Sequence, residues 1–253
     1  PVYNGWAPRN GRGGGGYISL LNALTTSNNW ISARLIHALG PEQLVKKERM
    51  FGITGYMEPT LPLCLGTNDV TVREMVGAYS AFANKGVRTQ PVLVTKITDA
   101  SGQTLWANTP HRVEVTNEDA YRKMVQMLCN VVKAGTGRGL SSFGISAQTG
   151  GKTGTTNTNS DTWFIAFTPQ IVVGVWVGGE ERYIHFNTMT LGQGAKSALP
   201  MYGKFMQKVY GDPSLGYSQS AVFDVPVDSY YGGGGHTSSN NDGGGEHVEG
   251  VFD

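Results

Sequence analysis

The side chains best suited to chemistry stand in two short runs far apart in the chain, Ser27-Asn28-Asn29 and Lys152-Thr153-Gly154-Thr155. A serine hydroxyl and an asparagine carboxamide each donate and accept, so the first run can hand on a proton and hold an amide. The second run sets an ammonium beside two threonine hydroxyls, which suits a carboxylate, each charge-assisted bond being worth about 1.5–3 kcal/mol. Taken singly, each run also has a plainer meaning. Ser27-Asn28-Asn29 can be a polar helix cap, and Lys-Thr-Gly-Thr the end of an edge strand with a solvated lysine.

Periodicity supplies the elements that must hold these residues. Ser19 can cap a helix with Leu20, Leu21 and Leu24 on one face. Ile31, Leu35 and Leu39 form a second stripe that ends at Gly40, and Pro41 suits the first position of a third helix. Ser27-Asn28-Asn29 therefore falls at a junction between helices. Thr71 and Glu74 make a capping-box pattern ahead of Met75, Ala78, Tyr79 and Phe82, with Gly86 as the C-terminal cap. Val92 to Thr98 and Gln103 to Ala107 read as a hairpin. Thr116 caps a helix bearing Tyr121, Val125, Leu128 and Val132, closed by Gly135. Ser146 to Thr155, Asp161 to Phe167 and Ile171 to Val177 read as strands whose near-continuous apolarity implies helices on both faces, with Trp163 and Trp176 as core packing. A last helix carries Ala198, Met201, Phe205 and Val209. Helices, then strands, then a closing helix indicate an α+β fold: an antiparallel sheet flanked by helices, plus a helical subdomain.

Several blocks together resemble the transpeptidase domain of class A, bifunctional penicillin-binding proteins. They are Ala23 to Leu35 around Ser27-Asn28-Asn29, and Leu63-Cys64-Leu65-Gly66-Thr67 running into Val70 to Gly86. They continue with Gly135-Thr136-Gly137, Gly151 to Asn157, Asp161 to Pro169 and Gly192 to Pro200. Family sites use three elements, S-x-x-K, S-x-N and K-T-G. The resemblance implies a D,D-transpeptidase that cross-links peptidoglycan stem peptides through an acyl-serine and is trapped by β-lactams. It also implies a periplasmic or extracytoplasmic location. On that basis Ser27 relays the proton, Asn29 orients the substrate amide, and Lys152 holds the Ser27 hydroxyl and supplies positive potential. Thr153 and Thr155 then receive the carboxylate, Gly154 makes room for the substrate, and the N–H of Thr155 forms half of an oxyanion hole.

One element is missing: no serine here has lysine three positions later. Losing such a nucleophile costs on the order of a millionfold in turnover, about 8 kcal/mol of barrier. The expectation is a chain truncated at its N-terminus, inactive alone, whose partner is the absent upstream part of the same protein. Residues 1–211 then form a partial transpeptidase domain and 212–253 a loose Gly/Ser-rich tail, with Val225 and Val227 as candidates for local docking. The alternative is a non-catalytic peptide-binding or scaffold module of the same fold.

Competing chemistries fit less well. A β-lactamase adds E-x-x-L-N; Glu58-Pro59-Thr60-Leu61 starts it, but Pro62 replaces the asparagine. A phosphate-binding loop ending at Gly151-Lys152-Thr153 would need glycine where Ser146 stands, and a helix rather than a polar turn afterwards. His37, His111, His185, His236 and His247 show no paired ligand spacing, so neither metal nor cofactor is expected. With a net charge of +1 and scattered basic residues, nucleic acid is not an indicated partner. No apolar run approaches the 18 or more residues of a bilayer span. Cys64 and Cys129 lack C-x-x-C spacing and read as buried free thiols. Four consecutive glycines at Gly13–Gly16, and further runs near the C-terminus, read as flexible segments.

Overall fold

The computed structural model describes residues 2–3, 5–11 and 16–227. Most of the N-terminal glycine run and the glycine-rich tail beyond Val227 lie outside the described residues.

Among the described residues, six helices flank three small antiparallel sheets. Helices α1 (Leu20–Thr25), α2 (Asn29–Leu39) and α3 (Pro41–Phe51) come first, followed by a 3-10 turn at Leu61–Leu65 and α4 (Val72–Ala83). Strands β1 (Val87–Thr89) and β4 (Arg112–Glu114) pair antiparallel. Between them projects the hairpin of β2 (Lys96–Thr98) and β3 (Thr104–Ala107). After α5 (Glu118–Ala134) comes the main sheet, β5 (Gly150–Thr155), β6 (Asp161–Phe167) and β7 (Val172–Gly178), in that spatial order, and then α6 (Ala198–Gly211).

Helix starts follow local chemistry. Ser19 Oγ accepts from the Asn22 N–H to open α1, and Thr71 with Glu74 forms both bonds of a capping box on α4. Pro41 stands at the first turn of α3. The cap of α5 is Asn117, not Thr116: the Asn117 side chain accepts from the Ala120 N–H, a bond to the third helical residue that fits the shorter reach from position 117.

Helices cover both faces of the sheet, as the apolar strands required. Along β6, Phe164 and Ala166 pack with Leu199, Tyr202 and Met206 of α6, while Phe167 on the opposite face meets Tyr79 and Phe82 of α4. Gly174 of β7 admits α4 so closely that a Cβ there would stand 2.8 Å from Val76. A separate cluster of Ile36, Ile53, Met57, Leu63 and Ala78 forms the core of the helical subdomain.

Several expected details are corrected. β5 begins at Gly150 rather than Ser146, because Ser146 turns its N–H to the Gln219 side chain instead of a neighbouring strand. In α6 the buried face is Leu199, Tyr202, Met206 and Val209, and the predicted Met201 and Phe205 are exposed. In α2, Ala33 and Ile36 are buried whereas Leu35 and Leu39 are exposed. Trp176 is 39% exposed, its indole N–H donating to Asp161 Oδ1 at 3.0 Å. The expected loose tail is packed at least to Val227: Phe223, Val225 and Val227 are buried against Tyr121, Val125 and Leu128 of α5. Glutamines pin this strap to the body, Gln148 Oε1 accepting from the Phe223 N–H at 2.8 Å. Cys64 and Cys129 are half-buried thiols that share no disulfide, and burial pushes the Cys64 thiol up to about 11.

Candidate active site

The last residue of α1 is Thr25, and the chain must turn sharply to start α2 at Asn29. It does so through Ser27, whose φ of 56° is a left-handed conformation that a residue with a Cβ rarely adopts. Backbone bonds hold the turn, from the Ser27 N–H to the Leu24 carbonyl at 3.1 Å and from the Asn28 N–H to the Ala23 carbonyl at 2.8 Å. Asn28 then caps α2, its Oδ1 accepting from the Trp30 N–H at 3.0 Å and the Ile31 N–H at 3.2 Å. The plain reading of the first run is thus true of its middle residue. With capping assigned to Asn28, the Ser27 hydroxyl is left for another partner.

That partner is Lys152. From the middle of edge strand β5 its Nζ donates to Ser27 Oγ at 2.8 Å and to the Thr153 carbonyl at 3.0 Å, closing a gap of 125 residues in sequence. Burial holds the Lys152 ammonium down to about 8, far below the ordinary lysine value. The lysine therefore gives up its proton far more readily than an exposed one.

The two threonines divide. Thr153 Oγ1 donates to Thr136 Oγ1 at 2.7 Å, so its proton is engaged within the protein. Thr155, exposed at the strand end, accepts from the Gly194 N–H at 3.1 Å and keeps its own proton to give. Gly154 lies opposite Trp163 in the register. Gly194 approaches Gly154 so closely that a Cβ on it would sit 2.6 Å from the Gly154 carbonyl oxygen and 2.3 Å from that of Trp163. Asn29 starts α2 with its Nδ2 donating to the Arg9 carbonyl at 2.8 Å and its N–H to Asn10 Oδ1 at 3.1 Å. One carboxamide proton is thereby engaged with the N-terminal segment, and the second N–H and the oxygen complete its hydrogen-bonding capacity.

Ser27 and Lys152 therefore meet, as the family resemblance implied, with Thr153 and Thr155 following on the same strand. Thr136 and Gly194 were not singled out from the sequence, although both lie in quoted blocks, Gly135-Thr136-Gly137 and Gly192 to Pro200. The signal available was glycine beside a hydroxyl, or glycine alone, where two backbones have to touch. Among the described residues no cluster of three or more His, Cys, Asp or Glu side chains could hold a metal, and no helix is long and apolar enough to cross a membrane.

The penicillin binding protein transpeptidase domain family matches residues 1–184. Penicillin-binding protein 1A of Neisseria lactamica is 35% identical over 222 residues, covering 83% of this chain and 27% of that protein. Penicillin-binding protein 1A of Aquifex aeolicus is 35% identical over 194 residues, covering 77% and 26%. The chain thus spans about a quarter of the length of these relatives. Among solved structures, the PonA1 protein from Mycobacterium tuberculosis in complex with penicillin V superposes with a TM-score of 0.72 at 20% identity, covering 88% of this chain and 64% of that one. Penicillin-binding protein 1A from Haemophilus influenzae gives 0.69 at 23%, covering 76% and 34%. At these identities the structural likeness concerns the fold.

Proposed function

Because this chain belongs to the penicillin-binding protein transpeptidase domain family, we propose that it forms two of the three walls of a D,D-transpeptidase site. The enzyme cross-links peptidoglycan stem peptides on the outer side of the cytoplasmic membrane. The observation that carries this reading is the 2.8 Å bond between Lys152 Nζ and Ser27 Oγ. It joins a helix-junction hydroxyl to an edge-strand ammonium, which are the groups a penicillin-recognising site brings together.

In the proposed reaction a serine from an S-x-x-K segment outside these 253 residues attacks the carbonyl of the penultimate D-alanine. The peptide C–N bond breaks, and the leaving amine takes the proton that the attacking serine gives up, passed on through the Ser27 hydroxyl. An acceptor amine then attacks the ester and releases the serine. Lys152 orients Ser27 by its hydrogen bond, and its proximity favours the developing negative charge. The exposed Thr155 hydroxyl, with one lone pair engaged by Gly194, is the better placed of the two threonines to donate to the terminal carboxylate. Thr153 serves mainly as a strut to Thr136. Asn29 keeps capacity to orient the substrate amide, and the Thr155 N–H forms half of the oxyanion hole.

A fluorescent penicillin tests this directly. The 253-residue chain is expected to stay unlabelled. A longer protein that supplies S-x-x-K is expected to label, and to lose most of its labelling rate on Ser27→Ala or Lys152→Met. Covalent labelling of the chain alone, or normal labelling of the Ser27→Ala protein, would overturn the assignment.

A further inference from the structure

Asn130 interrupts the buried apolar stripe of α5, Tyr121, Val125, Leu128 and Val131, with an amide that is only 5% exposed. An amide at that depth needs a partner. It finds Thr25: Asn130 Nδ2 donates to Thr25 Oγ1 at 2.7 Å, and that hydroxyl gives its own proton to the Leu21 carbonyl at 2.7 Å. The Thr25 carbonyl in turn accepts from the Thr136 N–H at 3.3 Å. A Cβ on Gly135 would stand 2.3 Å from the same carbonyl oxygen, so only a glycine lets the end of α5 come this close. The last residue of α1 is thus held by its side chain and its backbone together.

Ser27 follows two residues later in its left-handed conformation, which persists only when its surroundings fix it. The other half of the site hangs on the same bracket, since Thr136 also receives the Thr153 hydroxyl beside Lys152. From Asn130 the connection runs through Thr25 to Ser27, across to Lys152, and back through Thr153 to Thr136 at the end of α5. We infer that Asn130, acting through Thr25, is a positioning residue: it sets the Ser27 hydroxyl at its distance from Lys152 without touching substrate. This rests on the reading of Ser27 as the proton relay.

Replacing both partners of a buried hydrogen bond by apolar groups of similar shape is nearly neutral for stability, whereas a displaced hydroxyl costs rate. The Thr25→Val/Asn130→Leu double variant separates the two effects. In the longer protein that supplies the acylated serine, the quantities to measure are the first-order acylation constant at saturating fluorescent penicillin and the dissociation constant before acylation. The double variant is expected to slow acylation by about 10- to 100-fold with the dissociation constant nearly unchanged. Thr25→Ser, which keeps the hydroxyl, should restore the rate to near wild type. A double variant that acylates at close to the wild-type rate overturns the proposal. So does a loss confined to the number of active molecules, with the rate of each unaltered. Ser27→Ala in parallel tells the two readings apart: if it slows acylation and the double variant does not, only the positioning role of Asn130 falls. If Ser27→Ala has no effect, the relay reading falls first.

Discussion

Lys152→Met should change how the stability of this protein depends on pH, and the structure sets the size of the change. A lysine titrates ordinarily at 10.5, and burial brings Lys152 down to about 8. The unfolded chain keeps the ordinary value. Below pH 8 both states carry the proton, and the folded state bears the full cost of a buried ammonium. Between about 8 and 10.5 the unfolded state binds the proton that the folded state has released, so wild-type stability rises with pH across that window. At about 1.4 kcal/mol per pH unit the recovery amounts to about 3 kcal/mol. Methionine removes the charge, and with it the bonds to Ser27 Oγ and the Thr153 carbonyl, each worth about 1 kcal/mol net. At pH 7 the variant should therefore be about 1 kcal/mol more stable than wild type, and near pH 10.5 about 2 kcal/mol less stable. Urea unfolding of both proteins at the two pH values gives the gap, and groups distant from Lys152 cancel in the difference. A gap that stays constant within about 0.5 kcal/mol would refute the claim that this ammonium is held at a cost.

Three further outcomes follow from individual contacts. Gly194→Ala puts a Cβ 2.3 Å from the Trp163 carbonyl oxygen, so it should cost about 1–3 kcal/mol in urea melts and should also slow penicillin acylation in the longer protein by displacing Thr155. Glu74 is pushed up by burial, but hydrogen bonds from Thr54 and Thr71 outweigh this and hold it at about 2; its contribution is present above its ordinary value of 4.5 and lost as pH falls through about 2. Glu74→Gln should therefore lower the melting temperature at pH 6 and leave it nearly unchanged near pH 1.5. Phe223→Ala opens the contact between the C-terminal strap and Phe167 on α5's side of the sheet, and should cost about 3 kcal/mol, read as a fall in the urea midpoint with little change in slope.

What could be seen in the sequence, and what could not, follows the range of the forces involved. The capping box of α4 was legible because both of its bonds lie within three residues. The two chemical runs were legible as runs, but their meeting across 125 residues came from the family resemblance, since no local rule reaches that far. The face of α6 was misjudged because the helix carries two adjacent apolar stripes, one through Met201 and Phe205 and one through Tyr202 and Met206. Hydrophobic period alone does not choose between them. The choice is made by Gly203, where a Cβ would meet the Phe143 ring at 2.5 Å, so the helix must turn that side inward.

The same reasoning explains why the polar bracket behind the site was invisible. Asn130 sits on a helix face where pattern reading expects an apolar residue, and Thr25 and Thr136 are ordinary threonines at helix ends. Each becomes meaningful only when two segments over 100 residues apart are packed together, because a buried amide has to be satisfied by whatever the fold brings to it. A polar residue that breaks an otherwise apolar stripe is thus the feature from which such a bracket can be suspected. In this chain the break at Asn130 lies directly behind the turn that presents Ser27. An apolar pair would fill the same volume but would not fix the direction in which α1 ends. Direction is what a site built on one hydroxyl and one ammonium requires, since their hydrogen bond weakens steeply once its angle or length departs from the ideal.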